Sequence, residues 1–203
     1  MEKFVNFLAS RPSIFAFLRI ILENNFKGQK NVFREEFAVK NGEKVLDIGC
    51  GTGDFSVLFS PEAYTGIDID KGYIDYARKK YGKNFLAADA TTLPFTDNSY
   101  DKVFIVGVLH HLDDEACGRV LTEAKRVLKP EGTVLVMEDL DKKESGFLTK
   151  FLHRLDKGKY IRTAEDYKNM LQNYFAVEKD FGIQSGLFPY QAFVLKNPRG
   201  NRF

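Results

Sequence analysis

Val45-Leu46-Asp47-Ile48-Gly49-Cys50-Gly51-Thr52-Gly53-Asp54-Phe55-Ser56 decides how the rest of the chain is read. An apolar run closes on an acid, and three alternate glycines follow. Glycines at 49, 51 and 53 permit positive φ and let a ligand approach main-chain N–H groups without meeting a Cβ. Asp54 suits a helix N-cap, because a carboxylate accepts from the first unpaired N–H groups and complements the helix dipole. The stretch therefore predicts a strand, a glycine turn and a helix start, the element that binds dinucleotide-type ligands. The phosphate-cradling pattern, counted from Gly49, asks for a third glycine at position 54, where Asp54 stands. A carboxylate facing a pyrophosphate repels it, which argues against NAD or FAD. A nucleoside with a cationic centre and no phosphate fits better.

Val45 to Gly53 resembles the first motif of the class I S-adenosylmethionine-dependent methyltransferases, in their type 11-like, small-molecule branch. The segments that follow extend the resemblance. A second strand over 63–67 runs into Gly66-Ile67-Asp68-Ile69-Asp70, and an acid about twenty residues beyond the glycine turn is placed to grip a ribose diol. The resemblance maps the ribose ligand to Asp68 and lays Ile69 against the adenine face, while Asp70 suits the N-cap of a helix over 71–81. A third strand over 84–88 leads to Asp89-Ala90-Thr91-Thr92-Leu93-Pro94-Phe95. This resembles the family's acidic loop, in which Asp89 reads the adenine amino edge and Ala90 leaves room for the ring. A fourth strand over 102–106 is a continuous apolar run, as a buried parallel strand should be. It ends at Val106 and Gly107, where the methionine arm and the acceptor must meet. Asp113, Asp114 and Glu115 open the next helix and Lys125, Arg126 and Lys129 close it, in agreement with the dipole. Leu128-Lys129-Pro130-Glu131-Gly132 differs from the family's usual Leu-Lys-Pro-Gly-Gly at one turn position, and a fifth strand over 132–137 follows.

The resemblance covers roughly residues 40–140. It implies an α/β, doubly wound, Rossmann-like sheet of seven strands, mostly parallel with the last strand antiparallel, preceded by N-terminal helices. It implies S-adenosylmethionine as cofactor and in-line methyl transfer to a small-molecule acceptor whose reacting atom (O, N or C) the sequence leaves open. Asp47, Gly49, Cys50, Gly51, Gly53, Asp68, Ile69, Asp89, Ala90 and Val106 are its expected cofactor residues. Arg34, shortly before the first strand, is a further candidate, as partner of the methionine carboxylate. No metal is expected. Sulfonium is already an activated donor, so a base is needed only where the acceptor must lose a proton. Candidates are His110, His111 and Glu138, although the His110-His111-Leu112 phrase also suits a structural role capping the next helix.

At 203 residues the chain suits one well-cored α/β domain with some extra structure. The expected division is a helical lid over 1–40, a methyltransferase domain over 41–197 with a variable substrate-side insertion over 140–173, and a tail over 198–203. Hydrophobic residues at 44% and charged residues at 29% are ordinary for a globular chain. A net charge of +2, and Gly107-Val108-Leu109-His110 in place of the Asp/Asn-Pro-Pro-aromatic phrase of exocyclic-amine methylases, disfavour nucleic acid as substrate. A non-catalytic S-adenosylmethionine-binding protein is the remaining alternative. Cys50 and Cys117 are too few for a disulfide framework, so a cytoplasmic location is expected.

The apolar run Ile14–Leu22 is broken by Arg19 and is too short to span a bilayer. No membrane span is expected, which leaves surface contact through 1–25 as the only membrane role. Further expectations are a helix over 12–24 broken at Gly28, a second over 31–39, helices over 144–155 and 163–173, and a closing hairpin of strands over 175–181 and 190–195. Aromatic residues outside the sheet motifs, among them Phe4, Phe7, Phe15, Phe17, Phe26, Phe33, Phe147, Phe151 and Tyr160, suggest an apolar cover over the site.

Overall fold

Seven strands make one sheet in the computed structural model, which describes residues 17, 19–140 and 159–198. They are β1 (Val45–Ile48), β2 (Tyr64–Asp68), β3 (Asn84–Ala87), β4 (Tyr100–Val106), β5 (Leu128–Asp139), β6 (Ala176–Ser185) and β7 (Phe188–Lys196). Their order in space is β3-β2-β1-β4-β5-β7-β6. β1 to β5 pair in parallel, and β7 runs antiparallel to both β5 and β6. The expected doubly wound sheet with its last strand reversed is therefore present. β1 and β4 are neighbours, yet the chain leaves them toward opposite edges of the sheet, which opens a crevice beyond their carboxyl ends.

Alternation along each strand sorts the core into two layers. Val103 and Ile105 of β4 pack in a cluster with residues of α3 (Asp114–Val127) and α4 (Ala164–Gln172). Phe104 and Val106 pack in the other cluster, with residues of α1 (Lys27–Glu36) and α2 (Lys71–Tyr81). Strands covered on both faces must be apolar throughout, and β4 is buried from Val103 to Val106. The helix starts follow the expected chemistry. Asp70 accepts from the N–H groups of Gly72 and Tyr73, Asp113 from Ala116, and Thr163 with Asp166 forms a capping box.

Two expectations fail for physical reasons. No α-helix follows the glycine loop: the chain makes only a 3-10 turn over Ser56–Leu58, and Asp54 caps nothing. Six residues separate Asp54 from Pro61, and the residue before a proline is pushed out of the α region. Lys83 Nζ donates to the carbonyls of Ser56 and Phe59, so these outward-turned acceptors are still satisfied. The space a helix would fill holds aromatic rings instead. Phe33 of α1 lies 4.8 Å from Phe104, 5.3 Å from Phe55, 5.7 Å from Phe59 and 5.8 Å from Phe37 between centroids.

The second failure is at Gly28, which sits inside α1 rather than ending a helix. The break lies earlier, where Asn24, Asn25 and Phe26 take φ of 49°, 55° and 57°. Left-handed backbone at non-glycine residues costs on the order of 1 kcal/mol each, and a Phe there is rarer than an Asn. Residues 17 and 19–22 are helical, as expected, whereas 12–16 lie outside the described residues. So do Phe4, Phe7, Phe15, the 144–155 helix with Phe147 and Phe151, and 199–203 of the tail.

Phe33→Ala should lower stability by about 3–5 kcal/mol in urea denaturation, because it empties the centre of a ring cluster that cannot easily collapse. A loss under about 1 kcal/mol would show that the rings merely touch.

Candidate active site

A cleft of about 700 Å³ opens at the carboxyl ends of β1, β2 and β4, within the usual range for small-molecule sites of roughly 300–1,000 Å³. Its floor is the glycine loop. An ideal Cβ on Gly51, whose φ is +50°, would meet no atom within 4 Å and would project into open space, so the bare backbone there forms a cradle. Asp68, at the end of β2, holds that backbone: its Oδ2 accepts from Gly51 N at 2.8 Å and its Oδ1 from Asp70 N at 2.8 Å. A carboxylate has about four acceptor positions, so Asp68 retains capacity for a diol. Burial raises its pKa above the usual carboxylate value, against the pull of the backbone N–H groups of Asp70 and Gly51.

Asp47 lies deeper. Burial pushes its carboxyl well above the ordinary range, partly offset by the hydroxyl of Tyr64, which donates to Oδ2 at 2.6 Å. Asp54 lines the cleft as well, accepting from Thr52 Oγ1 at 2.6 Å and from the Tyr81 hydroxyl at 3.1 Å. Asp89 accepts from the N–H and hydroxyl of Thr91, and the backbone N–H is the main cause that holds its pKa below the usual value. Ile69 is 77% exposed on the rim, an apolar surface of the kind a flat ring covers. Ala90 and Val106 also line the cleft.

Of the residues expected from the sequence, Asp47, Gly49, Cys50, Gly51, Asp68, Ile69, Asp89, Ala90, Val106 and His111 line this one cleft. Four of the candidates stand elsewhere. Gly53 is under the loop, where a Cβ would come 2.7 Å from Phe85. Arg34 is on the exposed side of α1, donating to Asn31 Oδ1. His110 and Glu138 are buried at 1% and 0% exposure, so neither reaches a substrate. Glu138 Oε2 lies 2.8 Å from His110 Nδ1, and its Oε1 accepts from the N–H groups of Val108 and Leu109. This carboxylate shapes the loop after β4 instead of taking a proton. Arg162 is spent on the Leu109 and Leu112 carbonyls and Asp114.

Sequence reasoning missed Arg19, Thr52, Tyr73, Thr91 and Val108 on the cleft wall, whereas Phe26 was among the aromatics expected over the site. The only signal for Arg19 was a charge interrupting an apolar run. Among the described residues no group of His, Cys, Asp and Glu could hold a metal ion, and no helix is long and apolar enough to cross a membrane.

Fit to a cofactor follows from this donor set. Asp54, Asp68, Asp70 and Asp89 put negative charge around the cradle, which repels a pyrophosphate and attracts a cationic nucleoside. Fold and site together define a nucleoside-binding, doubly wound α/β protein. Comparison with known proteins narrows the class. The methyltransferase domain family matches residues 46–136. An O-methyltransferase (rstn1) of Aspergillus nomiae is 35% identical over 116 residues, 52% of this chain and 50% of its own. The demethylmenaquinone methyltransferase of Staphylococcus aureus is 29% identical over 171 residues, 77% of this chain and 70% of its own. The chain thus spans about half the length of the first of these relatives. A SAM dependent methyltransferase from Aquifex aeolicus shares the fold with a TM-score of 0.68 at 21% identity, over 91% of this chain and 97% of that one. Over residues 46–136 the chain is thus similar to methyltransferase domains, and its fold is that of the S-adenosylmethionine-dependent methyltransferase from Aquifex aeolicus.

His110→Ala should cost about 3 kcal/mol in denaturant melts, since it strips a buried carboxylate of a partner. His111→Ala should stay within about 0.5 kcal/mol of wild type, as exposed substitutions do. Equal losses at the two positions would contradict the separation of a structural from a site histidine.

Proposed function

We propose that this chain methylates a small, partly apolar molecule, with S-adenosylmethionine seated on the glycine cradle. The single observation that carries this reading is the Asp68–Gly51 contact, which presents a strand-end carboxylate and a Cβ-free backbone to one cleft. Asp68 holds the ribose hydroxyls, Asp89 and Ala90 the adenine edge, and Ile69 the adenine face. Gly49, Cys50 and Gly51 lie beneath the amino-acid arm, and Asp47 braces the loop through Tyr64. S-adenosylmethionine supplies the methyl group already activated on a sulfonium, so this chain's residues need only align the acceptor and keep water out.

The acceptor's character is inferred from the wall away from the acids. Val108, Leu112 and Val120 belong to one apolar cluster at the cleft, which favours an apolar body, and His111 is the titratable side chain beside them in sequence. A quinone-like or phenolic ring, as the names of the relatives suggest for those proteins, would suit both. Where such an acceptor must lose a proton, His111 takes it. Residues 41–197 form the cofactor-binding unit, and 1–40 contribute the cover, since Arg19 and Phe26 reach the cleft from that segment. The free thiols of Cys50 and Cys117 and the modest net charge favour a cytoplasmic enzyme without nucleic-acid substrates.

Asp68→Ala should lose a charge-assisted contact of about 2–3 kcal/mol and weaken S-adenosylhomocysteine binding roughly 30- to 150-fold in calorimetry. Unchanged affinity in a folded variant would move the ribose elsewhere. For His111→Gln, kcat should drop about 10²-fold on a hydroxyl acceptor identified from a metabolite panel, with S-adenosylhomocysteine affinity unaltered. An unaltered kcat would remove the base from the scheme.

A further inference from the structure

Val108, His111 and Leu112, all from the loop after β4, line the cleft. The middle of that loop is a 3-10 turn over Leu109–His111. A turn this short closes few hydrogen bonds of its own, so its other main-chain groups need partners from elsewhere. Glu138 serves the donors, accepting from Val108 N at 2.9 Å and from Leu109 N at 2.8 Å. The carbonyls are met by a different part of the chain. Tyr160 N donates to His110 O at 2.9 Å. Arg162 donates through Nη1 to Leu109 O and through Nη2 to Leu112 O, both at 2.9 Å.

Every donor of this guanidinium is used. Besides the two loop carbonyls, Nη1 donates to Tyr160 O at 3.0 Å, and Asp114 Oδ1 accepts from Nη2 at 2.7 Å and from Nε at 3.2 Å. Five N–H groups thus make five hydrogen bonds. The Arg162 side chain is 11% exposed and that of Asp114 87%, so the carboxylate is the wet end of the arrangement and the carbonyls the dry end. An ion pair to so exposed an acid contributes little, and burial gives the carbonyl bonds the greater weight. A lysine would keep the charge, but a single ammonium cannot span two carbonyls three residues apart as a planar fork does.

We propose that Arg162 is a positioning residue for methyl transfer. By bridging the Leu109 and Leu112 carbonyls it fixes the backbone on both sides of His111, and with it the direction in which that imidazole enters the cleft. The proposal rests on the reading of His111 as the group that takes the acceptor's proton. Arg162 does not line the cleft and touches neither cofactor nor acceptor in this scheme. The glycine cradle is held from β2 by Asp68, so cofactor binding does not depend on Arg162. Proton transfer does, because a base must stand within hydrogen-bond reach, and a displacement of about 1 Å can cost on the order of 10²-fold in rate.

Nuclear magnetic resonance and kinetics on the full chain test this. The sequence has 3 histidines, so the imidazole spectrum is simple and His111→Gln identifies the His111 resonances. In Arg162→Lys those resonances should shift and broaden, while S-adenosylhomocysteine affinity stays within about twofold by calorimetry. Asp114→Asn, at an exposed acid, should move them in the same direction by less, and it serves where Arg162→Lys does not fold. On a panel of simple phenols and quinols, Arg162→Lys should lower kcat about tenfold with KM little altered, and should lower it no further in a His111→Gln background. Unmoved His111 resonances would overturn the proposal. So would a parallel loss of S-adenosylhomocysteine affinity, which marks a packing residue, or independent effects of the two substitutions on kcat. Absence of turnover by the wild type on the whole panel would overturn the proposed function instead, and the His111 resonances would still decide the role of Arg162.

Discussion

Two carboxylates at strand ends hold the site open. Asp68, closing β2, receives the N–H of Gly51 from the loop after β1; Glu138, near the end of β5, receives those of Val108 and Leu109 from the loop after β4. In each case an acid on the outer strand reaches inward to the loop of its neighbour. The two loops that flank the β1–β4 crevice are thereby drawn apart to their own sides, and the cleft lies between them. The acids differ in what remains to them. Glu138 is saturated by two N–H groups and His110 in a place water does not reach, so it is architecture. Asp68 stands at the rim with acceptor capacity left, so it can serve both the loop and a ligand.

This symmetry explains why most residues that line the cleft were legible in the sequence while the burial of His110 and Glu138 was not. Gly51, Asp68, Asp89 and Ala90 follow one another at strand ends, and once β1, β2 and β3 are recognised by their apolar runs, their convergence follows from topology alone. His110 and Glu138 also lie at strand ends, yet being at a strand end does not say which way a side chain points. His110 turns under the loop toward β5, and His111, one residue on, turns out to the cleft. A one-residue difference of this kind is invisible to spacing and is settled only by which partner is buried nearby. Arg34 was misjudged similarly, because a helix places successive residues on different faces and the register of α1 was set by Phe33.

The missing helix after the glycine loop has a different cause. Local reading favoured it, since Asp54 is a good N-cap and Phe55 to Phe59 contains nothing that forbids helix. Tertiary packing decided otherwise. With Pro61 closing the segment, at most one turn could form, and one turn contributes little against the burial of Phe55 and Phe59 among Phe33, Phe104 and Tyr64. An N-terminal helix, α1, therefore covers a part of the sheet that the chain itself leaves bare. Ahead of β1, helices in this chain are structural before they are anything else.

That consequence bears on how the two halves of the cleft can differ in rigidity. The glycine-loop half is built of strand ends inside a sheet buried on both faces, and any displacement there would disturb several ladder hydrogen bonds at once. The opposite wall includes Arg19 and Phe26, which depend on three consecutive left-handed residues and one buried acid for their placement. Strained backbone persists only where its surroundings over-determine it. Here those surroundings are Glu23, Gln29, Ser185 and Tyr190, so the placement of Arg19 and Phe26 is referred to the β6–β7 edge and not to the central strands. Two walls of one cleft are thus anchored to different parts of the sheet, and the wall that carries Arg19 and Phe26 can be reshaped without disturbing the glycine cradle.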